Sequence, residues 1–168
     1  PPWADDPAVG ARLNNARAET VAMKPSFRGA FARHRCLIPA DGFYEWQTAT
    51  GAGKRRKQPW YFHRAGGGFL AFAGLLAAWR PAGGDTVVSG CIITTAANAT
   101  MAPIHERMPV IVDPSDFSAW LDPANQDTAA LQELLVPCDP DLLAAHPVSP
   151  AINRGDVEGP GCIDPLAG

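Results

Sequence analysis

Arg35-Cys36-Leu37-Ile38-Pro39-Ala40-Asp41-Gly42-Phe43-Tyr44-Glu45-Trp46 is the stretch on which the reading of the fold turns. Cys36-Leu37-Ile38-Pro39 is a short apolar run, Asp41-Gly42 is a turn signal, and Phe43-Tyr44-Glu45-Trp46 carries strand-favouring aromatics. Downstream, residues 48–58 (TATGAGKRRKQ) are polar and basic and read as an exposed hairpin loop. Residues 59–63, 69–76, 87–95 and 109–112 read as further strands, punctuated by Gly66-Gly67-Gly68 and Gly83-Gly84.

Upstream, residues 18–23 read as a strand. Residues 26–32 read as a short helix with Phe27 and Phe31 on one face. Asp6-Pro7 is a helix start, with Asp as N-cap and Pro at the first helical position. Asp113-Pro114-Ser115 opens a helix through Trp120-Leu121, Asp127 caps another over 128–135, and the Pro/Gly-rich tail from Val136 reads as mostly irregular. Short strands with interspersed short helices predict one α+β domain over 1–168, built on a curved, mainly antiparallel sheet. The 16 Gly and 17 Pro among 168 residues argue against a helix bundle, because both residues destabilise helix interiors.

Hydrophobic residues make up 46% of the chain, which excludes a disordered acidic tail. No apolar run approaches the roughly 18 residues of a membrane span. The start, Pro1-Pro2-Trp3-Ala4-Asp5-Asp6, has neither a basic nor an apolar signal region and no Met, so it reads as an interior point of a longer chain. Cys36, Cys91, Cys138 and Cys162 are scattered, which predicts reduced thiols in a cytoplasmic setting. No His/Cys spacing suits a metal, and neither a P-loop nor a dinucleotide fingerprint is present, so no cofactor is expected.

The formal charge of −3 hides an uneven distribution. Residues 12–64 carry 11 positive and 3 negative charges, whereas residues 65–168 carry 3 positive and 12 negative. A basic segment of this kind can face phosphates, because the local field rather than the total attracts them. It can equally be a set of solvated loops.

Three polar clusters can carry chemistry. In an extended segment Asn15, Arg17 and Glu19 share a face, where an amide and a guanidinium could orient a substrate and bind phosphate. The alternative is a turn with an internal Arg17–Glu19 salt bridge. Glu45 lies among bulky aromatics. If desolvated, its pKa rises and it suits general acid–base work; otherwise it alternates outward. His105, in Ala102-Pro103-Ile104-His105-Glu106-Arg107-Met108-Pro109, sits in a loop fixed by prolines. It is either an acid–base group, with Arg107 beside it for a phosphate, or structural. Cys36 and Cys91 lie in apolar runs where a buried thiol is usually inert.

Together these motifs resemble the SOS response-associated peptidase (SRAP) family, whose members process abasic sites in single-stranded DNA. The resemblance rests on Asn15-Ala16-Arg17-Ala18-Glu19-Thr20, Arg35 through Trp46, Thr94-Thr95-Ala96-Ala97-Asn98, Ile104-His105-Glu106-Arg107-Met108-Pro109-Val110 and Val148-Ser149-Pro150-Ala151-Ile152-Asn153. It implies an α+β domain with a β-barrel-like core and a basic single-strand groove. It also implies a stable thiazolidine crosslink between an N-terminal cysteine and the lesion. By motif, Asn15 orients the cysteine and sugar, and Glu45 is the acid–base group for sugar opening and Schiff-base formation. His105 transfers protons to the sugar oxygen, and Arg17 and Arg107 hold flanking phosphates.

The family's N-terminal cysteine segment is not among these 168 residues, so the chain reads as that domain without roughly its first third, itself inactive in crosslinking. The implied partner is abasic single-stranded DNA, met by a monomer at the nucleoid in the DNA-damage response. Two alternatives stand beside this reading: a thiol-type autopeptidase acting on its own leader, and a non-catalytic single-strand binder.

Overall fold

A computed structural model describes residues 3–4, 6–49, 56–81 and 83–166. The fold class is α+β, as expected. The chain divides into two compact units, Pro1–Pro39 with Ala71–Ala96 and Pro109–Cys138, and Ala40–Leu70 with Ala97–Met108 and Asp139–Gly168.

The first unit opens with α1 (Pro7–Ala11), where the Asp6 side chain accepts from the Ala8 N–H as the sequence predicts. It continues through β1 (Asn15–Arg17), α2 (Arg28–Arg33) and β2 (Arg35–Ala40). The strand predicted over 18–23 does not form. Ala18 and Val21 are buried while Met23 is 67% exposed, a spacing that suits a turn rather than alternation. The backbone accordingly folds back, with the Thr20 N–H on Arg17 O and the Lys24 N–H on Thr20 O. Helix α2 starts two residues later than predicted, but the Phe31 N–H still donates to Phe27 O at 2.8 Å and both rings are buried.

Its sheet is built on the long strands that Gly66-Gly67-Gly68 and Gly83-Gly84 delimit in sequence. These are β5 (Leu70–Trp79) and β6 (Val87–Ala96), which pair antiparallel from Gly74↔Ile92 to Trp79↔Val87. The order is β1-β6-β5-β2, and β1 runs parallel to β6. A Cβ at Gly74 would lie 2.8 Å from both Cys36 Sγ and Ile38 Cδ1, so a larger residue there would have to displace those side chains. The 109–112 strand shrinks to the end of β7 (Arg107–Pro109) and an isolated bridge between Ile111 and Phe72. The Val110 and Val112 N–H groups donate to Ile93 O and Ala71 O, so this extended segment is still held to the sheet.

Asp113 caps a 3-10 turn leading into α3 (Phe117–Leu121), and Asp127 caps α4 (Thr128–Glu133). The core gathers Phe31, Ile93, Trp120 and Leu131 around the sheet, all essentially inaccessible.

The second unit is a three-stranded antiparallel sheet in the order β3-β4-β8. Strands β3 (Gly42–Ala49) and β4 (Arg56–Arg64) run well into the stretch predicted as a loop; its tip, 50–55, lies outside the described residues. Gly42 has an ordinary φ. It is required for space: a Cβ there would collide with Phe62 O and the Tyr61 ring. The tail is more ordered than predicted, because β8 (Leu143–Pro147) pairs along β4 from Arg64↔Leu143 to Trp60↔Pro147.

Candidate functional site

Glu45 and His105 both lie in the second unit. On β3, alternation puts Phe43, Glu45 and Gln47 on one face and Tyr44 and Trp46 on the other. The register brings Phe62 and Trp60 of β4 opposite Phe43 and Glu45, and the Phe43 and Phe62 rings stack at 5.1 Å. Glu45 is half-buried on this aromatic face. Burial pushes its carboxyl above the usual range; the His105 ring, the Trp46 N–H and the Lys57 ammonium act in the opposite sense. The desolvated reading of Glu45 is therefore the one the geometry favours over outward alternation.

The His105 loop is closed at its base by the Ala97 N–H donating to Glu106 O at 3.0 Å. Buried Asn98 organises it: its Oδ1 accepts the Met101 N–H at 3.0 Å, and its own N–H points to Met108 Sδ at 3.3 Å. The Ile104 and His105 N–H groups both donate to Met101 O. Thr100 Oγ1 donates to Pro140 O at 3.0 Å. From β3, Gln47 Nε2 donates to Pro103 O at 3.1 Å, while Gln47 Oε1 accepts from Trp60 Nε1 at 3.3 Å. Two-residue alternation from Glu45 was the signal in the sequence that could have found Gln47.

His105 Nδ1 lies 3.0 Å from the Arg107 N–H and 3.0 Å from Arg107 O. A neutral ring with its proton on Nε2 accepts the N–H; a ring carrying a proton on Nδ1 donates to the carbonyl. The Arg107 backbone thus has a partner for the ring in either protonation state. Such a ring can gain and lose a proton without being reoriented. Arg107 itself is half-buried beside it.

Asn15 and Arg17 belong to the first unit. They flank buried Ala16 on β1, and both are exposed on the same side of the strand. Their positions are fixed by pairing with Ile92 and Thr94 and by the Ala18 N–H on Thr94 O at 2.8 Å. Glu19 does not join them on a strand face, because the chain turns after Arg17.

The thiols behave as their apolar runs suggest. Burial raises the Cys36 thiol and pushes Cys91 up to about 11, with Cys36 adding to the latter shift. Neither is suited to nucleophilic work at neutral pH. Among the described residues no group of three or more His, Cys, Asp or Glu could hold a metal ion, and no helix is long and apolar enough to cross a membrane.

The family profile described as SOS response associated peptidase (SRAP) matches residues 1–155. The chain is 41% identical over 164 residues to Abasic site processing protein YoqW of Bacillus subtilis, covering 98% of this chain and 72% of that protein. It is 31% identical over 192 residues to Abasic site processing protein HMCES of Mus musculus, covering 98% of this chain and 54% of that protein. A crystal structure of a protein from Bacteroides thetaiotaomicron aligns with a TM-score of 0.88 at 27% identity, over 99% of this chain and 73% of that one. With that fold and with these motifs in order along nearly its whole length, the chain belongs to the SOS response associated peptidase (SRAP) family.

Proposed function

We propose that the protein processes abasic sites in single-stranded DNA by forming a thiazolidine crosslink, with Glu45 and His105 as its proton-transfer groups. The observation that carries the reading is the pairing of a desolvated carboxyl with a loop-locked histidine whose ring has a backbone partner in both protonation states. A carboxyl raised above its ordinary range by burial holds its proton more readily than an exposed one, which suits it to proton transfer at a sugar aldehyde. The relatives named abasic site processing proteins supply the substrate class.

The chemistry runs as follows. His105 exchanges a proton with the sugar oxygen as the ring opens to the aldehyde. The α-amine of an N-terminal cysteine, which would lie outside these 168 residues, attacks the aldehyde carbon. Glu45 protonates the departing hydroxyl, one water leaves, and the resulting carboxylate takes the nitrogen's proton back, so that an imine remains. The thiol sulfur then adds to the imine carbon while the nitrogen takes up the thiol proton, closing a five-membered ring. Asn15 orients the cysteine and sugar, and Arg17 and Arg107 bind the flanking phosphates.

The protein with its native N-terminus, incubated with an abasic single strand, gives a denaturation-resistant shifted band that disappears when the terminal Cys is changed to Ser. Binding of intact and abasic strands alike with no such band overturns the reading and leaves a non-catalytic binder. Release of an added leader, lost in Glu45→Gln, without a band identifies an autopeptidase instead.

A further inference from the structure

We propose that Gln47 is a positioning residue: its side-chain amide ties the His105 loop to β3 and so sets the position of the imidazole relative to Glu45. The inference deepens the proposed function and rests on the roles given there to Glu45 and His105.

The orientation of this amide follows from its partners. Trp60 Nε1 can only donate and Pro103 O can only accept, so Gln47 must present Oε1 to the indole and Nε2 to the loop. Both bonds are used at once, at 3.3 Å and 3.1 Å, and they bind the amide to β4 on one side and the loop on the other. Trp60 is also the cross-strand partner of Glu45, so the same indole that faces the carboxylate position fixes the amide two residues along.

Pro103 lies two residues before His105, and the Ile104 and His105 N–H groups that follow it are both committed to Met101 O. Between Pro103 and the imidazole the backbone therefore has little freedom. A displacement of the Pro103 carbonyl is carried to the ring, and electrostatic coupling between Glu45 and His105 falls as they separate. Alternatives of similar size do not replace Gln47. Met keeps the stem and loses both polar contacts, and Asn is one methylene too short to span them.

The test needs no DNA. Glu45 is titrated by carboxyl-resolved NMR in the wild-type protein and in Gln47→Met, Gln47→Asn and His105→Ala. Loss of the His105 charge moves the Glu45 midpoint upward in His105→Ala; both Gln47 variants are expected to move it in the same direction, part of the way. A midpoint unmoved in a folded Gln47 variant overturns the proposal. A second readout uses wild type alone. Gln47 Nε2 protons that exchange with solvent more slowly than a free amide support the tether, and exchange at the free rate overturns it. Because neither readout requires crosslinking, absence of a crosslink with the Glu45 displacement intact counts against the functional reading and not against the tether.

Discussion

At the scale of single residues, Glu45 links the stability of the second unit to pH. Its carboxyl is raised by burial, so ionising it costs folding free energy. The sign follows: a group with a raised folded-state pKa contributes stability that is fully present below its unfolded value and is lost as pH rises through the folded value. Glu45→Gln removes that loss. In denaturant titrations the variant is expected to be more stable than wild type near neutral pH, and the difference should vanish below about pH 4, where both states are protonated. A variant less stable than wild type at neutral pH would mean that the His105, Trp46 and Lys57 contacts outweigh desolvation. Glu45 was legible because aromatics flank it in the chain, although Trp60 and Phe62, which share its face, come from β4. The prolines around His105 likewise announced a fixed loop. Alternation could place Gln47 on the face of Glu45 but not its bond to the loop: Pro103 lies 56 residues away, and local pattern carries no information about hydrogen bonds of that range.

At the scale of elements, Arg35 shows how a charge count can mislead. It is one of the eleven cations in the basic segment, yet it is 8% exposed. Its guanidinium donates to five backbone carbonyls, those of Phe31, Ala32, Trp120, Asp122 and Asn125, at 2.5 to 2.9 Å. It closes the C-terminal ends of α2 and α3, where carbonyls lack intrahelical partners, and its Cζ stands 5.7 Å over the Trp120 ring. Arg35→Met keeps the apolar stem and deletes every donor. We expect a loss on the order of 3 kcal/mol from the denaturant midpoint; a loss below about 1 kcal/mol would mean that water replaces these bonds at little cost. The elements misread from sequence share one cause. Strand β8 (LAAHP) has no β-branched residue, and what orders it is the edge of β4. The 18–23 segment has strand-like composition, but burial at a spacing of three draws it into turns. In both, tertiary context overrides local propensity: the edge of β4 for β8, and burial of Ala18 and Val21 in the core for the turns.

At the scale of the whole molecule, the total charge of −3 does not describe the surface a phosphate meets. With Arg35 removed from the reckoning, exposed Arg17 and half-buried Arg107 remain the guanidinium groups carried by the sequence motifs themselves. The α+β class and the family were legible because each motif stands in a definite order, and the match to the family extends over residues 1–155. The central claim is that the desolvated carboxyl works on an abasic sugar. It is tested most directly by the single-turnover rate of crosslink formation on an abasic single strand, with saturating protein bearing its native N-terminus, in wild type and Glu45→Gln. Removing a general acid–base group predicts a rate on the order of 100-fold slower, with affinity for the strand unchanged. Equal rates in the two proteins would contradict the account.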